Sequence, residues 1–179
     1  MKKNIIITEQ QTDSLIQLLL KSLLGSEYGK LFDKLGSDTN SKKYSNLTDG
    51  NFYEKLLTEL GAPVTDENLK FLYAWRQSEG KAGKFNPFNT TQGMPGATNF
   101  NSVGVKNYLT IDDGMDATLK TLKNGRYNCI VNGLKNNIGA KKISGNCISD
   151  LKTWGTGDLV AKVVTSYEKG SEPKIKSLA

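Results

Sequence analysis

The sequence predicts a mostly α, α+β domain: a helical body with a small irregular or β lobe flanking a cleft. Three observations predict it. Apolar residues recur at helical spacing in several stretches bounded by capping and stop signals. That periodicity is lost from Asn86 to Tyr108, where Asn, Gly and Thr dominate. The chain has 179 residues, enough for one compact domain with an added N-terminal piece.

The elements follow in order. Ile5-Ile6-Ile7 reads as a short strand or docking arm. Thr12-Asp13 caps a helix through Leu24, with Leu15, Ile16, Leu19, Leu20, Leu23 and Leu24 on one stripe and Gly25 as its stop. Gly36 to Asn46 is almost free of apolar residues and reads as a linker. The expected division is therefore residues 1–48 as arm, helix and linker, 49–170 as the main domain, and 171–179 as a frayed tail. Within the domain, a helix from about Gly50 to Leu60 turns Phe52, Leu56, Leu57 and Leu60 inward and stops at Gly61-Ala62-Pro63. Thr65 caps the next helix, which runs to Glu79. In the central stretch, Val103-Gly104-Val105 with Tyr108 suits a small hairpin. Asp112 is expected to cap a helix carrying Met115, Leu119 and Leu122. Tyr127, Ile130, Val131 and Leu134 form a further inward stripe, and Leu159, Val160, Val163, Val164 and Tyr167 the last. Gly155-Thr156-Gly157 reads as a helix start. No internal repeat is present.

Composition excludes several function classes. Hydrophobic residues make up only 37% of the chain, so a core is possible only beneath a very polar surface. The net charge of +6 suits an anionic partner such as an acidic cell wall. Nucleic acid is not the expected partner, because the lysines are scattered and base readout leans on arginine, of which there are two, Arg76 and Arg126. The chain contains no histidine and no CxxC, which argues against a zinc site; no cofactor is expected. Cys129 and Cys147 could form one bridge, but packed thiols are the expected state of a protein made in the cytosol. The apolar run after Met1-Lys2-Lys3 is too short for a signal peptide, and no stretch reaches the length of a bilayer span. Synthesis in the cytoplasm without a signal peptide, followed by action at a cell wall, is the expectation.

Without histidine, acid–base chemistry near neutrality must come from a perturbed carboxyl, Lys, Tyr or Cys. Glu79 is the leading candidate. At 100° per residue it continues the stripe of Leu72 and Trp75, so partial burial should raise its pKa. The negative end of the helix dipole pushes the same way, and Arg76 pushes the other way. An ordinary alternative is a solvated helix-end glutamate. The stretch that follows favours function, since long irregular segments in compact domains are usually functional. Asn86, Asn89, Thr90, Thr91, Asn101, Ser102 and Asn107 supply the donors and acceptors that sugar hydroxyl and N-acetyl groups require, and Phe88 supplies a ring face. The competing reading is that these residues satisfy their own turns. Trp75 and Trp154 are expected in the core.

The runs Ser78-Glu79-Gly80, Asn86-Pro87-Phe88-Asn89-Thr90-Thr91 and Phe100-Asn101-Ser102-Val103-Gly104-Val105-Lys106-Asn107-Tyr108 resemble the lysozyme-like domains of phage cell-wall hydrolases, in the glucosaminidase and lytic transglycosylase-like superfamily. Thr121 to Tyr127 and Trp154-Gly155-Thr156-Gly157 resemble the same group. The resemblance covers roughly residues 52–168. It implies an enzyme that cuts the glycan strands of bacterial peptidoglycan, with Glu79 as general acid and Tyr108 as the aromatic that faces the catalytic carboxyl. Residues 1–48 lie outside the resemblance; the expected role of their leucine stripe is to pack on and brace the main domain, and the alternative is docking to phage virion or tail proteins. One departure is plain: no clear second carboxylate accompanies Glu79. Asp112, Asp113 and Asp116 each have a bland role at a helix start. A mechanism with one protein acid, completed by the substrate's N-acetyl group or C6 hydroxyl, fits better than a carboxylate pair. The alternative is a non-catalytic virion, tail or wall-binding protein that retains the fold.

Overall fold

The computed structural model describes residues 43–44 and 46–171. The expected N-terminal strand, helix and most of the linker, and the tail from residue 172, lie outside the described residues. The compact unit begins at Tyr44, a few residues before the expected boundary. Tyr44 and Leu47 are buried, and the Tyr44 hydroxyl donates to Asp116, which ties this segment to the domain.

Among the described residues there are seven α-helices and one two-stranded sheet, so the architecture is mostly α. A single turn of 3₁₀ helix, Asp49–Asn51, leads into α1, Phe52–Leu60. Phe52, Tyr53, Leu56, Leu57 and Leu60 face inward. Gly61 then takes a left-handed conformation at φ 72°, and its N–H closes on the Leu57 and Thr58 carbonyls. Helix α2, Asp66–Ser78, is capped by Thr65, whose hydroxyl accepts from the Asn68 N–H at 3.2 Å. It buries Phe71, Leu72, Ala74 and Trp75, together with two polar side chains, Asn68 and Arg76. The Asn68 amide nitrogen donates in the interior to the Pro63 and Leu134 carbonyls.

The central lobe carries β1, Thr98–Asn99, antiparallel to β2, Lys106–Asn107, with Thr98 opposite Asn107. The small hairpin expected around Val103-Gly104-Val105 is present, with that segment in the connection between its strands. There the Asn101 side chain accepts from the Val105 N–H and its carbonyl accepts from Gly104. Helix α3, Ile111–Leu122, is capped by Thr110, not by Asp112. Thr110 is extended and shares a reciprocal capping box with Asp113, the arrangement that satisfies two orphan N–H groups at once.

Helix α4, Asn128–Lys135, buries Ile130, Val131 and Leu134. Helices α5, Ala140–Asn146, and α6, Ile148–Trp154, are only seven residues each. With so few inward apolar residues they leave no readable stripe. Gly155-Thr156-Gly157 ends α6 instead of starting α7: all three N–H groups converge on the Leu151 carbonyl at 3.0 Å. Helix α7, Leu159–Glu168, faces inward with Val160, Val164 and Tyr167, whereas Leu159, expected inside, is exposed. Helix α2 packs most extensively on α7 and also meets α5, while α1 lies on α3.

Cys129 and Cys147 are disulfide-bonded, not packed thiols. Cys129 is exposed in the first turn of α4, and Cys147 is buried at the junction of α5 and α6. Helix packing brings their Cα atoms to 5.4 Å, within the range a bridge requires. No helix among the described residues is long and apolar enough to cross a membrane.

Candidate functional site

The site is built where α2 runs out. Glu79 is the C-cap residue of α2, in αR conformation, and Gly80 turns left-handed behind it. Being one turn after Trp75, the Glu79 carboxyl falls back over the apolar stripe, and the Trp75 indole N–H donates to its Oε1 at 3.0 Å. Trp75 itself is fully buried, in ring contact with Phe71, Phe88 and Trp154. Trp154, expected in the core, is half-buried; its N–H donates to the Phe88 carbonyl and its ring meets Tyr127 edge-on. Glu79 is half-buried against this aromatic wall.

Burial pushes the Glu79 carboxyl up to about 7. Four groups pull the other way and limit the rise: the Trp75 N–H, the Asn89 amide, the Arg76 charge and the Trp154 N–H. Arg76 is buried, and its guanidinium donates to the Gly80 carbonyl at 3.0 Å, so it turns toward the end of its own helix. No carboxylate pairs with Arg76 among the described salt bridges. The result is a carboxyl that changes charge near neutrality, beside groups able to stabilise the anion once it forms.

The loop after Glu79 is held by amide side chains. Asn86 is fully buried and spends its amide on the Thr90 and Lys106 carbonyls, while its oxygen accepts from the Thr90 N–H. Asn89, at φ 54°, donates to the Glu79 and Lys81 carbonyls and accepts from Gly83 N–H. Asn107 accepts from Lys84 N–H. Gly83 and Gly114 are required where this lobe approaches its neighbours. A Cβ on Gly83 would stand 2.2 Å from the Lys106 carbonyl oxygen, and one on Gly114 would stand 1.8 Å from that of Phe85.

The residues expected to bind sugar therefore separate into two groups. Asn86 and Phe88 are fully buried, so Phe88 offers no ring face to a solvent-borne ligand and Asn86 is a brace. Asn89 and Asn107 are half-buried and spend their amides on the loop's backbone and, for Asn107, the Thr98 hydroxyl. Thr90 is buried and its hydroxyl meets that of Thr121 at 2.6 Å. Thr91, Asn101 and Ser102 are exposed. Tyr108 is also buried; its hydroxyl donates to the Gln92 carbonyl at 2.8 Å, and burial raises its pKa far above neutrality. It acts as a strut for the Thr90–Gly93 turn, with its proton committed to that carbonyl. Asp113 is spent on the capping box and Asp116 accepts from Tyr44.

A hollow of about 430 Å³ opens beside this turn. Thr91, Gln92 and Gly93 form one side; Thr121, Asn124, Arg126 and Tyr127 form the other. Its lining reaches Glu79 through a relay of rings, Tyr127 to Trp154 to Trp75, with centroids 4.9 and 4.8 Å apart. Sequence reading singled out no site in Thr121, Asn124, Arg126 or Tyr127. The available signal was Arg126, one of only two arginines, in the turn Asn124-Gly125-Arg126-Tyr127. Comparison with protein-family models, with curated proteins and with solved structures finds no match.

Proposed function

We propose that this chain is a lysozyme-like enzyme that cleaves the glycan strands of bacterial peptidoglycan, with Glu79 as the general acid. The observation that carries the reading is the half-buried Glu79 carboxyl at the end of α2, held by the Trp75 indole and titrating near 7. A group with that pKa is substantially protonated at working pH yet gives up its proton readily, the balance general acid catalysis favours.

In this mechanism Glu79 donates its proton to the bridging oxygen as the C–O bond to the anomeric carbon breaks. The leaving sugar departs as an alcohol and positive charge develops on the ring left behind. The newly formed carboxylate is stabilised by the Trp75 N–H, the Asn89 amide and the Arg76 charge. The same carboxylate then takes a proton from the oxygen that attacks the anomeric carbon, which restores the acid. That oxygen belongs either to water, giving hydrolysis, or to the substrate's C6 hydroxyl, giving an anhydro sugar. The local engagements of Asp113 and Asp116 support a mechanism with one protein acid, in which the substrate supplies the second group.

Incubation with purified peptidoglycan, followed by a reducing-end assay and mass spectrometry of the products, tests the reading. New reducing ends indicate hydrolysis. Anhydro ends without water uptake indicate transglycosylation. Binding without either product indicates a wall-binding protein and overturns the proposal.

A further inference from the structure

We infer that the hollow beside the Thr90–Gly93 turn is a subsite for a carboxylate-bearing peptide substituent of the glycan, held by Arg126. The inference rests on the proposed function for the identity of the glycan. The chemistry of the site itself rests on the hollow's own residues.

The hollow has the size of a small-molecule site, about 430 Å³. Its walls are mostly polar, with the hydroxyls of Thr91 and Thr121 and the amides of Gln92 and Asn124 around one aromatic ring, Tyr127. Arg126 is the only charged residue in the lining. A guanidinium presents a planar fork of donors that matches a carboxylate in two parallel hydrogen bonds. No carboxylate pairs with Arg126 among the described salt bridges. Asp150, whose charge acts on Tyr127, accepts from the Ile130 N–H at 3.1 Å. The Thr121 hydroxyl is spent on Thr90 and the Ala117 carbonyl, and the Asn124 side-chain oxygen accepts from Arg126 N–H; the Thr91 hydroxyl and the Asn124 amide N–H suit a peptide's C=O.

Both walls are braced. On one side, Tyr108 holds the Gln92 carbonyl and the Thr90 hydroxyl accepts from the Gln92 N–H. The Thr90–Thr121 hydroxyl contact at 2.6 Å ties this turn to α3. On the other side, the Arg126 N–H donates to the Asn124 side chain at 2.9 Å, which sets the turn that presents the guanidinium. The backbone of both walls is therefore held before binding, and the ordering cost that remains falls on the exposed Arg126 side chain. Ring contacts from Tyr127 to Trp154 and on to the buried Trp75 connect the hollow's lining to the indole that donates to Glu79. A strand whose glycosidic oxygen lies at Glu79 could lay a side substituent into it.

Titration calorimetry on the full chain tests this with two soluble probes: a wall disaccharide carrying an acidic dipeptide, and the same disaccharide without peptide. Wild type should bind the peptide-bearing probe about tenfold tighter, the scale of one charge-assisted pair. Arg126→Ala should bring the two affinities together, and Arg126→Lys should keep part of the preference because a point charge remains without the fork. Equal affinities in wild type, or a preference that survives Arg126→Ala, overturns the subsite. Binding is read without turnover. A chain that shows the preference but releases no sugar ends keeps the subsite and loses the catalytic reading, and a chain that cleaves without the preference does the reverse.

Discussion

The indole N–H of Trp75 reaches the Glu79 carboxyl at 3.0 Å across a single turn of helix. That bond favours the charged form of Glu79, against the larger effect of burial. Trp75→Phe keeps a ring in place and removes the donor. The Glu79 pKa should then rise by about one unit, the scale of a hydrogen bond to a charged group. The pH profile of glycan cleavage reads this directly: its descending alkaline limb should move to higher pH in the variant. A limb that stays in place would separate the limb from Glu79.

The raised pKa of Glu79 also carries a stability consequence. The usual carboxyl value is 4.5 and the folded value is about 7, so between these the native state binds more protons than the unfolded chain. Stability is therefore highest below about 4.5 from this group and falls as pH rises through 7. Glu79→Gln removes the titration. Urea unfolding at pH 5 and pH 8 should show wild type losing on the order of 2 kcal/mol relative to the variant over that interval, allowing for partial solvent access. Parallel curves for the two proteins would contradict the buried-carboxyl geometry.

Asn86 should be a stability residue more than a binding one. Asn86→Ala leaves the Thr90 and Lys106 carbonyls and the Thr90 N–H without their partner in a buried setting. The expected loss is about 2–4 kcal/mol. The midpoint of chemical denaturation measures it. A loss within about 0.5 kcal/mol, the range of ordinary surface changes, would rule out the brace role.

Reduction of the Cys129–Cys147 bridge should lower stability without abolishing the fold. The bridge spans 18 residues, and a loop of that length contributes about 3 kcal/mol in the chain-entropy treatment. Thermal melts with and without reductant, with Cys129→Ser as a control that no longer responds to reductant, give the comparison. Coincident melts for the oxidised and reduced wild type would show that the bridge does not constrain the chain.

Long stripes and strong caps were legible in the sequence. Phe52 to Leu60 and the Thr65-capped helix through Trp75 fold as their periodicity implies, and Glu79 ends its helix half-buried. Features that depend on tertiary proximity were not legible. Asp112 looked like the cap of α3, but Thr110 and Asp113 satisfy each other's groups and win the position. Helices α5 and α6 were invisible because each has too few turns for a period. The two cysteines lie 18 residues apart, and only helix packing makes them neighbours. The central asparagines read as ligand groups from composition alone. In the fold, the amides of Asn86, Asn89 and Asn107 are largely spent on the loop's own backbone, and the polar hollow is finished by a turn from another part of the chain.

The most direct test of the central claim is the rate of peptidoglycan cleavage by wild type and Glu79→Gln across pH 5 to 9. Glutamine keeps the shape and cannot give up the proton. The account predicts wild-type release of sugar ends that declines above about pH 7, and a variant slower by about a hundredfold or more at pH 5 to 6, with the gap narrowing above pH 7 as wild type loses the proton. A Glu79→Gln protein that cleaves at the wild-type rate would contradict it.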